Sequence, residues 1–322
     1  MSKYRNQLPQ LQEQLFMTDG GLETTLIFHE GIDLSLFAAF DLLKNAAGVA
    51  VLRRYFTAYA ELARTHGVGL VLESPTWRAN PDWAAQLGYD AGQLADANRK
   101  AIELLLEVRA DYESATTPIV ISGNIGPRGD GYRPDRRMSA GEARDYHGPQ
   151  VQTFTQTEAD MVAAFTLNYV EEAIGITAAA KACDMPVAIA FTLETDGRLP
   201  SGDTLEAAIR RTDKETGEYP AYYLINCAHP SHFDAVLREG GEWRARIRGL
   251  RANASKRSHA ELDQSPDLDA GDPEELAAQY RALQSALPRL SVVGGCCGTD
   301  HRHVDAICSA MDLAYQPERA WN

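Results

Sequence analysis

Positive charge is scarce in this sequence of 322 residues. Lysine and arginine number 31 against 45 aspartates and glutamates, which gives a formal net charge of −14. Nucleic acids and anionic membrane surfaces would be repelled by such a surface on average, so we exclude them as main partners. Long apolar runs are also lacking, since none approaches the roughly 20 residues that span a bilayer. A small-molecule substrate fits this composition better.

The sequence also lacks the patterns that are typical of a signal peptide and of a disulfide framework. Residues 1–14 are polar and contain neither the apolar stretch nor the cleavage site of a signal peptide, so we expect a cytoplasmic protein. The sequence has only five cysteines, an odd number in which two are adjacent. That number and spacing do not suit a disulfide framework and suggest reduced thiols with a chemical role.

The sequence also lacks a phosphate-binding glycine loop. Its only early glycine cluster, in Asp19-Gly20-Gly21, is not the GxGxxG that opens a doubly wound dinucleotide fold. Instead, short apolar runs alternate with longer stretches of helical spacing, which predicts βα units. Eight strands are predicted, at residues 15–18, 69–72, 119–122, 161–166, 187–192, 223–226, 247–252 and 290–294. No linker or low-complexity tract interrupts the series, so we predict one domain over residues 1–322, a single (β/α)8 TIM barrel.

Helix boundaries are marked by capping residues. One stretch of helical spacing, Val49–His66, is followed by Gly67, a residue typical of the left-handed position after a helix. Ser139 and Asp203 are each followed by a glutamate at the third position, which is the spacing of a capping box. We therefore expect one helix to end before Gly67 and two others to begin after Ser139 and Asp203.

Three cysteines follow predicted strands and are candidates for a metal site. Cys227 follows the sixth strand, and Cys296 and Cys297 follow the eighth within Gly-Gly-Cys-Cys-Gly-Thr. In a TIM barrel these carboxyl ends meet at one rim, where the chemistry of such enzymes is found. Three protein ligands with a fourth position left open for substrate are typical of a catalytic zinc site. We therefore predict Zn2+ bound by Cys227, Cys296 and Cys297.

An adjacent cysteine pair has other interpretations: two buried small apolar residues, or a disulfide between neighbours. The flanking glycines, which allow a tight turn, and a third cysteine at another strand end favour metal binding. Cys183 and Cys308 lie in stretches of helical spacing, where we expect them to pack as apolar side chains.

These motifs resemble those of the homocysteine S-methyltransferase family over nearly the whole chain. The family has Asp-Gly-Gly after the first strand, Asn-Cys after the sixth and Gly-Gly-Cys-Cys-Gly-Thr after the eighth, as this sequence does. The resemblance implies that the three cysteines bind zinc and that Asp19, Gly20 and Gly21 bind the amino acid portion of homocysteine. It also implies the reaction, in which a methyl group passes from S-methylmethionine, S-adenosylmethionine or a betaine to homocysteine, giving methionine. A free thiol has a pKa of about 8.5, and zinc would keep it deprotonated.

The chain departs from the family at the predicted fourth strand. The family often has a glutamate there that binds the substrate amine, whereas this chain has Phe165. We hypothesise that Glu194, after the fifth strand, supplies the missing acid. Further substrate-binding residues are predicted at the ends of the second, third and seventh strands: Glu73, Asn124 and Asn253.

Three alternatives stay open at this point. The acceptor could be another thiol or a selenol. Alternatively, Cys227 or Cys297 could itself be a nucleophile with His229 as its base. The chain could also be a zinc-binding barrel without catalytic activity, because this fold hosts many functions. The sequence does not fix the methyl donor or whether the chain forms a homo-oligomer.

Overall fold

Eight parallel strands close into a barrel in the computed structural model, which describes residues 2–12, 14–263, 265 and 267–315. They follow one another around the barrel in chain order, and the last pairs with the first. The strands are β1 (Phe16–Met17), β2 (Gly69–Glu73), β3 (Ile119–Ile125), β4 (Met161–Leu167), β5 (Val187–Phe191), β6 (Tyr222–Asn226), β7 (Ile247–Ala252) and β8 (Val292–Gly295). The predicted (β/α)8 TIM barrel and its eight strands are confirmed.

Helices follow the strands and cover the outside of the barrel. Within the described residues they are α1 (Leu22–Thr24), α2 (Ala46–His66), α3 (Pro81–Gln86), α4 (Ala91–Tyr112), α5 (Ala140–Thr155), α6 (Val170–Ala182), α7 (Leu205–Thr216), α8 (Pro230–Arg238), α9 (His259–Asp263), α10 (Pro273–Leu283) and α11 (His301–Tyr315). A π-helical turn, Thr25–His29, extends α1. None of these helices combines the length and apolar character that a bilayer crossing requires.

The strands bury both faces, and alternate residues face the lumen. Phe16 pairs with Gly69 on one side and with Val292 on the other, and its ring occupies the space that a side chain at position 69 would need. The lumen is filled by an apolar cluster separate from the helix-facing core, with members Phe16, Val71, Val120, Met161, Phe165, Leu224 and Val292. Because side chains alternate along a strand, Glu73 lies on the same side as Val71, one layer nearer the carboxyl ends. Arg251, near the end of β7, also lines the cavity at the carboxyl ends of the strands.

Two of the three predicted helix boundaries are confirmed. Gly67 follows α2 with a φ of 64°, in the left-handed region. Ser139 forms both hydrogen bonds of a capping box at the start of α5. The prediction for Asp203 is wrong by one residue, because Thr204 caps α7 through its side chain. Both residue types can accept the capping hydrogen bond, so the spacing alone did not separate them.

The left-handed conformation at Gly67 gives a test of the fold. We expect Gly67→Ala to lower the free energy of unfolding by about 1 kcal/mol, because an L-residue is strained there. Space is not the cause, since a Cβ at position 67 would meet no other atom within 4 Å. The matched control is Gly141→Ala in α5, where space is also open and φ is not positive. Urea unfolding should show a lower free energy of unfolding for Gly67→Ala only. Equal losses for Gly67→Ala and Gly141→Ala would contradict the left-handed cap at Gly67.

Candidate metal centre and substrate pocket

A cavity of about 500 Å³ opens at the carboxyl ends of the strands. Its wall contains all three predicted metal ligands, Cys227, Cys296 and Cys297. It also contains all but one of the predicted substrate-binding residues, namely Asp19, Gly20, Gly21, Glu73, Asn124 and Asn253. The residues that sequence analysis selected from separate strands therefore meet in one place.

Backbone hydrogen bonds to β7 bring the cysteines together. β7 lies between β6 and β8. The amide of Cys227, just after β6, donates to the carbonyl of Arg251 at 3.0 Å, and the amide of Cys296, just after β8, donates to the carbonyl of Ala252 at 2.9 Å. Consecutive carbonyls of one strand thus hold the two cysteine segments side by side. The Sγ atoms of Cys227, Cys296 and Cys297 all lie within 4.8 Å of one another.

Two of the three sulfur atoms are joined in this structure. Cys227 and Cys296 form a disulfide, while Cys297 stays outside it and is exposed. This differs from the expectation of reduced thiols. A disulfide and a set of three thiolates use the same sulfur atoms, so they are alternative states of one site. Once reduced, the three sulfurs are the soft donors that zinc prefers.

Polar groups surround the sulfur atoms. The side-chain amide of Asn226 donates to the Sγ of Cys227 at 3.2 Å, and the hydroxyl of Thr166 lies 3.7 Å from the same atom. The hydroxyl of Tyr132 lies 3.8 Å from the Sγ of Cys297. The sequence analysis missed Thr166 and Tyr132; Thr166 lies beside Phe165 at the end of a strand, a position that could have suggested it.

The Asp-Gly-Gly segment approaches the cysteine loop closely. A Cβ on Gly21 would lie 2.7 Å from the carbonyl oxygen of Cys296, so only glycine fits without a shift. The amide of Gly21 donates to the carbonyl of Thr299 at 3.0 Å. Gly298 reverses the chain after the cysteine pair with a φ of 80°. These glycines allow the first and last strand ends to share one wall of the pocket.

Asp19 is already bonded to protein groups through both of its oxygens. Its Oδ1 accepts from Arg251 Nη2 at 2.5 Å and its Oδ2 accepts from the Tyr55 hydroxyl at 2.9 Å. Burial raises the pKa of Asp19, while Arg251 and Tyr55 act in the opposite direction. Burial would lower the pKa of Arg251, but the charges of Asp19 and Glu73 raise it above its ordinary value. Arg251 therefore carries a buried positive charge in the pocket wall, which the sequence analysis did not identify.

The family assignment follows from the match of the whole barrel. A model of the homocysteine S-methyltransferase family matches residues 16–311, which includes all eight strands and every cysteine of the site. The chain belongs to the homocysteine S-methyltransferase family. This family member also shares its fold with solved structures of the homocysteine methyltransferase MmuM from Escherichia coli.

The E. coli protein has been solved in several states. Its metallated form is 20% identical to this chain with a TM-score of 0.73, over 94% of this chain and 98% of that one. Its oxidized form is 21% identical with a TM-score of 0.72, over 95% and 98% of the two chains. At this level of identity the likeness shows the barrel fold, and it extends over nearly the full length of both chains.

This family member has no acid at the fourth strand, as the sequence indicated. Phe165 faces the lumen there, and the guanidinium carbon of Arg251 lies 5.0 Å from the centre of its ring. Nearby, Glu73 is only 4% exposed, and its Oε2 has no hydrogen-bond partner. Burial raises the pKa of Glu73 to about 7, because the charged form loses its hydration. The region thus offers an apolar ring, a guanidinium and a buried carboxyl.

Glu194 is the one predicted substrate-binding residue that the structure does not place in the cavity wall. It is half-buried in the loop after β5, where burial and the charge of Asp196 raise its pKa. His229, an alternative base, caps α8 instead: its Nδ1 accepts from the amide of Ser231 at 3.2 Å. Asn124 and Asn253 each keep a side-chain oxygen without a partner in the pocket wall.

Proposed function

We propose that the chain is a zinc-dependent S-methyltransferase that moves a methyl group from a sulfonium or ammonium donor to the thiol of homocysteine, giving methionine. The observation that carries this proposal is the set of three cysteine sulfurs within 4.8 Å of one another at the carboxyl ends of the strands. The family match and the metallated form of the E. coli homocysteine methyltransferase support it. Cys227, Cys296 and Cys297 are the residues that would hold zinc.

The donor set fits a catalytic rather than a structural zinc site. A metal held by three protein ligands would have room for a substrate thiol, and Cys297 is exposed toward the cavity where a substrate would enter. Zinc bound in this way supplies a deprotonated, nucleophilic substrate thiol at neutral pH. The side chains of Asn226 and Thr166 hold the Sγ of Cys227 in place by donating hydrogen bonds to it.

The remaining pocket residues position the two substrates. A methyl transfer requires the thiol sulfur, the methyl carbon and the leaving atom to lie nearly in line, so holding both substrates supplies much of the rate. The cavity of about 500 Å³ can hold an amino acid thiol together with a small donor. Trp77 and Tyr132 line it, and aromatic faces attract sulfonium and quaternary ammonium groups.

The test is zinc content together with turnover of the reduced protein. We expect about one zinc per chain by elemental analysis, since one site offers three thiolates. We also expect methionine to form from homocysteine with at least one donor among S-methylmethionine, S-adenosylmethionine and betaine. Zinc without methionine formation would contradict homocysteine as the acceptor. Turnover by metal-free protein would contradict the role of zinc.

A further inference from the structure

Glu73 is a buried acid with one oxygen, Oε2, that receives no hydrogen bond from the described part of the protein. It ends β2 on the lumen side, lines the cavity and is 4% exposed. Its Oε2 is buried without a hydrogen-bond partner. A buried carboxyl oxygen without a partner costs free energy, and such groups usually have a partner in a ligand or an ion. The chemical complement of this site is a cation that donates hydrogen bonds, such as an ammonium group.

Other carboxylates near the pocket are less suited to receive such a group. Asp19 is engaged by Arg251 and Tyr55 through its two oxygens. Glu23 is more exposed than Glu73, but burial raises its pKa to about 7 as well, so it is the competing acid that the variants below test. Asp130 is exposed in the loop after β3, and its Oδ1 accepts from the amide of Tyr132 at 2.8 Å.

The pocket wall also carries a positive charge, that of Arg251. Arg251 lies on β7 and Glu73 on β2, and the two charges act on each other, since Arg251 opposes the rise in the pKa of Glu73 and Glu73 raises the pKa of Arg251. Its guanidinium lies over the ring of Phe165, so the β4 side of the pocket is apolar and positively charged. An ammonium group would be repelled there, whereas the β2 side offers the free oxygen of Glu73.

We propose that Glu73 binds the ammonium group of the thiol substrate and thereby makes the enzyme selective for an amino acid thiol. The inference rests on the proposed function for its reaction, but the binding preference can be measured without turnover. The acid that recognises the amine then belongs to β2 in this chain, in place of Phe165 on β4 and of Glu194 after β5.

The first experiment compares two thiols that differ only in the amine: homocysteine and 4-mercaptobutanoate. We expect Glu73→Gln to raise KM for homocysteine roughly 30-fold, which corresponds to one charge-assisted hydrogen bond. KM for 4-mercaptobutanoate should change less than about 3-fold, because this thiol has no ammonium group to lose. A KM for 4-mercaptobutanoate close to that of wild type would also show that the Glu73→Gln variant folds. Equal effects on both thiols would overturn the assignment.

Matched variants separate Glu73 from its neighbours. Glu73→Asp keeps the charge and should retain part of the preference for homocysteine. Glu194→Gln and Glu23→Gln should keep the ratio of KM values for the two thiols within about 3-fold of wild type, since neither side chain presents a buried free oxygen to the lumen. If Glu194→Gln or Glu23→Gln abolished the preference, that residue would be the amine site and the inference would be wrong.

The second experiment does not depend on turnover or zinc. Calorimetry should show that wild-type protein binds methionine more tightly than 4-(methylthio)butanoate, which lacks the amine, and that Glu73→Gln binds the two alike. If wild type and Glu73→Gln showed the same preference, the inference would fail even with methyl transfer intact. If neither thiol were methylated but this difference in binding held, the proposed reaction would fail and the inference would stand.

Discussion

Cys297→Ser is expected to lose its zinc and its methyl transfer together. The three sulfur atoms lie within 4.8 Å of one another, and a hydroxyl does not ionise at neutral pH to replace a thiolate. Structural zinc sites with four ligands bind with about 10–16 kcal/mol, so one ligand accounts for roughly 3 kcal/mol, or about 100-fold in affinity. Elemental analysis and methionine formation by the same preparation would measure both losses.

Cys183→Ser is the control for this substitution. Cys183 is free and half-buried at the end of α6, outside the cavity wall. Its replacement should leave zinc content and turnover near those of wild type. A Cys297→Ser protein that kept about one zinc per chain and full activity would show that the metal is bound elsewhere, and the proposed site would have to be abandoned.

Asp19→Asn is expected to be the most destabilising of the conservative changes in the pocket. Asp19 and Arg251 are 5% and 7% exposed, and they are joined at 2.5 Å. Removing the negative charge leaves the guanidinium buried without its partner, which typically costs about 3–5 kcal/mol. Urea unfolding would measure this loss. Methyl transfer should fall as well, because Arg251 also donates to the carbonyl oxygens of Gly20 and Gly295 in the pocket wall.

An exposed ion pair gives the matched control. Glu206 and Arg210 lie 2.8 Å apart on the surface of α7, with both side chains about half exposed. Glu206→Gln should change the free energy of unfolding by no more than about 0.5 kcal/mol, since solvent screens such pairs. A loss below about 1 kcal/mol for Asp19→Asn would mean that the Asp19–Arg251 pair contributes little to stability.

The barrel and its cysteine rim could be predicted from the sequence because both depend on local patterns. Each buried strand is a short apolar run, and the cysteines stand directly after two of those runs. The lumen chemistry could not be predicted in the same way. In the sequence, Arg251 is one charged residue within a predicted strand, and nothing marks it as part of the site. Only the three-dimensional structure shows that its side chain faces inward, beside Phe165 and Asp19. Tyr132 lies in a long polar loop with no pattern that marks it.

The prediction for Glu194 shows the same limit of reasoning from local sequence patterns. A carboxylate after β5 is at the correct end of the barrel, but the distance along the loop and the direction of the side chain decide whether it reaches the pocket. The structure places it outside the cavity wall. Glu73 ends a strand on the lumen side, where the barrel geometry leaves its direction no freedom.

The hydrogen bonds that hold the cysteine segments to β7 have a consequence for how this family can diversify. They use the backbone carbonyls of Arg251 and Ala252, so the strand itself holds the two cysteine segments. Lumen side chains such as Phe165 and Glu73 can change with the substrate while these backbone hydrogen bonds stay. New acceptor preferences can therefore evolve, or be engineered, in the lumen without rebuilding the reactive centre above it.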